Sequence, residues 1–228
     1  MQEDRGYSVE EYMQTKKRLL LMKNFVFNIT QDKYDELKKL LDEIIEEHDG
    51  AKAHGTKLED AVFFLLNNTE AFKVIKNVRS STNEIDLLVE LSDMGKIFAT
   101  DGQIDLKGHK FIIECKNYNK KIDVTWVGKF CSLVNTSPVR LGILISNKGF
   151  KGLGKWDSSK GLAKKFYYFK ECDDQKMYIL DIQVDELKKL NPKFSFIDLI
   201  EAKIKELELD TKYTNLILPH ESEGKFKK

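Results

Sequence analysis

At 228 residues, 41% hydrophobic and 33% charged, the chain is long enough for one ordinary domain with an appendage or for two small ones, and its composition excludes wholesale disorder. A net charge of +1 excludes a basic excess over the whole chain, so a polyanion would have to be met by a local patch. Residues 42–47 are acidic and residues 107–129 basic. Cys115, Cys131 and Cys172 follow no zinc or redox spacing, the first residues are charged, and the apolar run at 19–22 is far too short for a bilayer. A reducing, cytoplasmic setting without a membrane is expected.

Residues 8–24 carry a weakly amphipathic helical pattern. Thr30 is placed to cap a second helix, in which Leu37, Leu40, Leu41, Ile44 and Ile45 recur at helical spacing. The stretch from Gly50 to Gly55 predicts a break, and the main domain is placed from there. Residues 56–66 read as a helix with Leu58, Val62 and Leu65 on one side. It opens on Thr56-x-x-Glu59, the pattern of a capping box. The period then changes to that of strands over 72–79, 85–91 and 110–116. Helical spacing returns at 124–134. An Ile/Leu-rich run at 140–146 suits a buried strand. A short helix at 159–166, a strand at 177–182 and helices near 184–190 and 195–207 follow. From His220 the tail is polar and expected to fray. This order predicts an α/β fold: three strands in an antiparallel meander, then a helical crossover into a mixed sheet. The divisions expected are a helical extension over 1–50, a core over 51–182, and a helical segment with tail over 183–228.

The chemistry concentrates in Phe111-Ile112-Ile113-Glu114-Cys115-Lys116-Asn117. Side chains alternate along a strand, so Glu114 and Lys116 share a face at the polar end of an apolar run. Charges there are costly unless paired or metal-bound. In the preceding strand Asp86 opposes Ile85, Leu87, Val89 and Leu91. The start of one antiparallel strand lies beside the end of the next, which lets Asp86 meet Glu114. Two such carboxylates form a hard-oxygen site suited to Mg²⁺. Asp105, in a Gly-flanked turn, is the rival aspartate. Glu59 is read equally as a helix cap or a site residue. Lys107, Lys110, Lys120 and Lys121 could hold DNA backbone or serve solubility, Lys129 on the crossover helix could approach a phosphate but reads first as a solvated helix residue, and His54 and His109 read as surface residues.

Asn83-Glu84-Ile85-Asp86-Leu87-Leu88 followed by Ile112-Ile113-Glu114-Cys115-Lys116-Asn117 resembles the Mrr-type restriction endonucleases of the PD-(D/E)XK superfamily. Leu58-Glu59 resembles the family's helical Glu, and Gly142-Ile143-Leu144-Ile145-Ser146 with Gly149-Phe150 its strand and loop after the crossover helix. Ile85 stands where the name-giving proline would be, a residue without chemistry. The resemblance implies a restriction-endonuclease-like core, a central mixed β-sheet flanked by helices, with helical N- and C-terminal additions. It also implies metal-dependent hydrolysis of DNA phosphodiester bonds in defence against foreign DNA. Asp86, Glu114 and the Cys115 backbone carbonyl would hold Mg²⁺, with Mn²⁺ as substitute. Lys116 would be catalytic and Glu59 would assist. The implied partner is double-stranded DNA, cut by a homodimer with one site per chain. The competing expectation is a nuclease-fold subunit with little catalysis that binds nucleic acid or docks a protein partner through its terminal helices.

Overall fold

The computed structural model describes residues 8–46, 51–79, 84–152, 158–169, 172 and 175–211. The polar tail from His220 and the side chains of Ile45 and His54 lie outside what is described. Ser8 opens α1 (Val9–Phe27): its hydroxyl accepts from the Glu11 N–H, and the Glu11 carboxylate accepts from the Ser8 N–H. That reciprocal pair satisfies two donors that a helix start leaves open. Helix α2 (Gln31–Glu46) begins immediately after Thr30 and buries Tyr34, Leu37, Leu41 and Ile44.

Helix α3 (Ala51–Asn67) starts earlier than its glycines suggested. Gly55 and Thr56 lie inside it, so Thr56 caps nothing and the capping-box reading of Glu59 falls. One glycine costs a helix only about 1 kcal/mol, which the good formers Ala51 and Ala53 and the packing of Leu58, Val62 and Leu65 outweigh.

Five strands follow: β1 (Phe72–Arg79), β2 (Glu84–Leu91), β3 (Lys110–Lys116), β4 (Leu141–Ser146) and β5 (Tyr178–Gln183). They form one sheet in the order β1-β2-β3-β4-β5. The β1–β2 and β2–β3 pairs are antiparallel, the β3–β4 and β4–β5 pairs parallel. The mixed sheet is thus as the sequence predicts, but the expected simple meander is interrupted. Helix α4 (Asp93–Thr100) stands between β2 and β3, opened by the Ser92 hydroxyl accepting from the Gly95 N–H at 3.1 Å. Only two turns long, it shows too little periodicity to be read.

Helix α5 (Val124–Thr136) carries the crossover from β3 to β4, and α6 (Ser159–Tyr168) the one from β4 to β5. The short α7 (Val184–Leu187) and α8 (Phe196–Glu208) complete the described chain. Strand alternation sorts the core into two layers. Phe111, Ile113, Leu141, Ile143, Ile145, Leu180 and Ile182 pack with residues of α2, α3 and α8. Ile112, Leu144 and Ile179 pack with Val127, Phe130, Val134 and Ala163 of α5 and α6. The sheet is buried between helical layers, which explains its near-continuous apolar runs. Among the described residues no helix is long and apolar enough to cross a membrane.

Close approach of α5 to β4 depends on Gly142. A Cβ there would lie 2.5 Å from Val134 Cγ2 and 3.0 Å from the Phe130 ring. Gly142→Ala is expected to destabilise the protein by about 1–3 kcal/mol, read from urea unfolding.

The edge strand β5 carries one carboxylate, Asp181, at a part-buried position between the buried Leu180 and Ile182. Burial pushes its carboxyl up from the usual range to about 6, and Glu186 adds to this. The Phe150 N–H, Lys203 and Lys160 offset it only in part. The folded state therefore holds this proton more tightly than the unfolded chain. Its stabilisation is complete below about pH 4 and lost as pH rises through about 6. Asp181→Asn is expected to remove that slope and to unfold later than the parent at pH 8, by up to about 3 kcal/mol, in thermal melts at pH 4 to 8.

Candidate active site

The site forms where β2 and β3 part. Their register runs Glu90↔Lys110, Val89↔Phe111, Leu88↔Ile112 and Leu87↔Ile113, and there the ladder ends. One step further Asp86 comes beside Glu114. The Asp86 carboxylate replaces a backbone partner: its Oδ2 accepts the Cys115 N–H at 2.8 Å. On its other side, Asn77 of β1 adopts φ 53° and drops out of the β1–β2 ladder. The backbone facing Asp86 is bent at that point.

Lys116 shares the sheet face of Glu114. Its Nζ lies 2.5 Å from Glu114 Oε1 and 3.9 Å from Asp86 Oδ2. Side-chain exposures of 16%, 15% and 14% for Lys116, Glu114 and Asp86 leave all three largely buried. The same Nζ stands 5.3 Å from the centre of the Trp126 ring, on the first turn of α5. Asp123 fixes that turn, its Oδ1 accepting from the N–H groups of Thr125 and Trp126. Lys129, one turn on, lies 4.8 Å from the same ring, and Tyr118 tilts against it at 6.0 Å.

Electrostatics bind these groups into one unit. Burial, then repulsion from Asp86, pushes the Glu114 carboxyl up to about 7, with Lys116 opposing. Burial also raises Asp86, partly offset by the Cys115 N–H and Lys116. For Lys116 burial disfavours the ammonium, but attraction from Glu114 and Asp86 outweighs it, and its affinity for the proton rises. Glu59 belongs to the same field. Its carboxyl is raised by burial and then by Asp86, and lowered by Lys76 and Lys116. Two carboxylates thus share one ammonium, at 2.5 and 3.9 Å, and Glu59 adds its charge to the same field.

A model of the restriction endonuclease family, its Mrr catalytic domain, matches residues 51–164. The chain belongs to the restriction endonuclease family. No curated protein and no solved structure matches it. Membership makes the chain a nuclease domain, and the matched segment contains Glu59, Asp86, Glu114, Lys116 and Trp126.

Within this nuclease the rival aspartate lies elsewhere. Asp105 is exposed ahead of β3, bonded to Lys107, with its N–H donating to Glu201 of α8 at 3.1 Å. Lys107 also pairs with Glu208, and Lys110 with Glu90. These two lysines stand at the end of β3 remote from Glu114. Lys120 and Lys121 follow β3 on the side of the site, and His109 is exposed just before the strand. Sequence reading missed Trp126, while Lys129, read as a helix residue that is solvated or approaches the phosphate, is exposed on α5. The only hint was an aromatic residue three positions before a lysine at the start of the crossover helix, one turn apart on the same face.

Proposed function

We propose that this restriction endonuclease domain hydrolyses phosphodiester bonds of double-stranded DNA with Mg²⁺, in defence against foreign DNA. The observation that carries the reading is one ammonium, that of Lys116, within reach of both Asp86 and Glu114 at a strand end. Two hard carboxylates already share a cation there. Among the described residues no group of three His, Cys, Asp or Glu side chains forms a metal cage. The two carboxylates of Asp86 and Glu114 suit Mg²⁺, which takes one or two carboxylates and keeps much of its water.

Asp86 and Glu114 would hold the ion, together with the Cys115 backbone carbonyl. Bound there, the ion supplies a Lewis acid for a phosphate oxygen and a water of lowered pKa. Asp86 keeps its carboxylate in place by accepting the Cys115 N–H. Lys116 aims its ammonium at the phosphate or the attacking water, backed by the Trp126 ring. Glu59, with its raised carboxyl, can take up a proton at the edge of the site. Because each chain carries one such site and a duplex has two strands, the working form is a homodimer.

Plasmid DNA incubated with the purified protein in Mg²⁺, Mn²⁺ or EDTA tests this. Cutting is expected in either metal and none in EDTA, with a dimer by light scattering. Absence of cutting in every metal, on methylated and unmethylated DNA alike, would assign the chain to binding without catalysis.

A further inference from the structure

The register that places Glu114 continues across the sheet. Glu114 pairs with Leu144, and Leu144 with Asp181. Asp181 therefore lies on the same face, two strands away, about 10 Å distant at the usual strand spacing. It borders a cavity of about 590 Å³ at the carboxyl ends of β4 and β5, between α6 and α8. That volume is of the size that takes a small organic ligand, and strand ends of this kind are where parallel sheets bind them.

Two carboxylate oxygens of residues lining the cavity, Asp181 Oδ1 and Glu206 Oε2, are buried without a hydrogen-bond partner, and the latter lies 3.4 Å from Lys203 Nζ. The other Asp181 oxygen, Oδ2, accepts the Phe150 N–H at 2.9 Å. A buried carboxylate oxygen without a donor is costly and calls for an N–H. Lys164 is tied to Asp210, and Lys203 to Glu186. Lys121, Lys148 and Lys160 also line the cavity, and among the described residues none of the three enters an ion pair. Phe150 and Ile179 are among the apolar residues that line it.

A ligand matching these groups carries an anion for the lysines, an apolar body, and an N–H donor for Asp181 Oδ1. We propose that the cavity binds a nucleotide, its phosphate on Lys121 and Lys148 and the amino group of its base on Asp181 Oδ1. The carboxylate accepts from an exocyclic amino group as it would from cytosine N4. Adenine, cytosine and guanine have such a group and thymine lacks one. The proposal stands apart from the metal site and from the nuclease reading.

Calorimetric titration of the full chain in EDTA with AMP, CMP, GMP, TMP and inorganic phosphate tests it. A five-nucleotide oligomer forms a second arm. At least one amino-bearing nucleotide is expected to bind about tenfold more tightly than TMP or inorganic phosphate. Asp181→Asn is expected to lose about tenfold, as for a hydrogen bond to a charged group, and the surface variant Lys121→Gln/Lys148→Gln to weaken binding similarly. Glu114→Gln and Lys116→Ala should bind as the parent does. Asp181-dependent binding of mononucleotides assigns the site to free nucleotides. The same dependence confined to the oligomer assigns it to a nucleotide within a strand. No binding in either arm, binding unchanged by both variants, or inorganic phosphate bound as tightly as any nucleotide would overturn the proposal.

Discussion

Lys116→Ala is expected to slow metal-dependent plasmid cleavage by about 10²–10³-fold, the usual cost of losing one charge-stabilising donor in an active site. The ammonium is fixed on three sides, by Glu114, Asp86 and the Trp126 ring. Alanine leaves no donor in its place. Lys129 is the nearest substitute, held over the same ring but exposed on α5. Arginine is no conservative replacement, because its planar fork does not present a point charge. A second readout separates catalysis from metal capture. Removing a positive charge beside two carboxylates should leave Mg²⁺ affinity, by calorimetry, at least as high as in the parent. Cleavage at the parent rate by Lys116→Ala would refute the assignment.

The carboxylates should show the opposite pattern. Glu114→Gln and Asp86→Asn are each expected to bring cleavage to background and to weaken Mg²⁺ binding at least about tenfold, since each removes a charged oxygen ligand. Asp86→Ala carries an extra structural cost. It leaves the Cys115 N–H, now bonded at 2.8 Å, without an acceptor at the end of the ladder. Urea unfolding should show about 1–3 kcal/mol lost for alanine and less for asparagine, whose amide oxygen can still accept. Asp105→Ala is the control and should leave cleavage and metal binding unchanged. If Asp105→Ala proved inactive and Asp86→Asn active, the pairing of Asp86 with Glu114 would have no catalytic meaning.

Much of the sheet was legible because strand alternation is a short-range signal. Glu114 and Lys116 fall on one face by parity alone, and Asp86 joins them once β2 and β3 run antiparallel. Other features depend on relations that a linear reading does not contain. Helix α4 spans two turns, too few to display a period. The start of α3 was misplaced because Gly55 weighs heavily in isolation and lightly inside a helix that packs well. That error also made Glu59 look like a cap. Trp126 lies ten positions after Lys116 and meets it only when α5 folds back over the end of β3. The environment of Asp181 arises from α6, α8 and two loops at once, and no local pattern announces it.

The division of the core between two sheet faces has a bearing on how such a domain can be moved between proteins. The face that carries Phe111, Ile113, Leu141, Ile143 and Ile145 is closed by α2, α3 and α8, and the sheet ends in β5. Of these, α2, α8 and β5 lie outside the matched residues 51–164. A graft of that segment alone would carry Glu59, Asp86, Glu114 and Lys116 but leave one wall of their scaffold behind. The flanking helices are therefore part of the transferable unit, and recombination between relatives of this chain should preserve them together with the strands they cover.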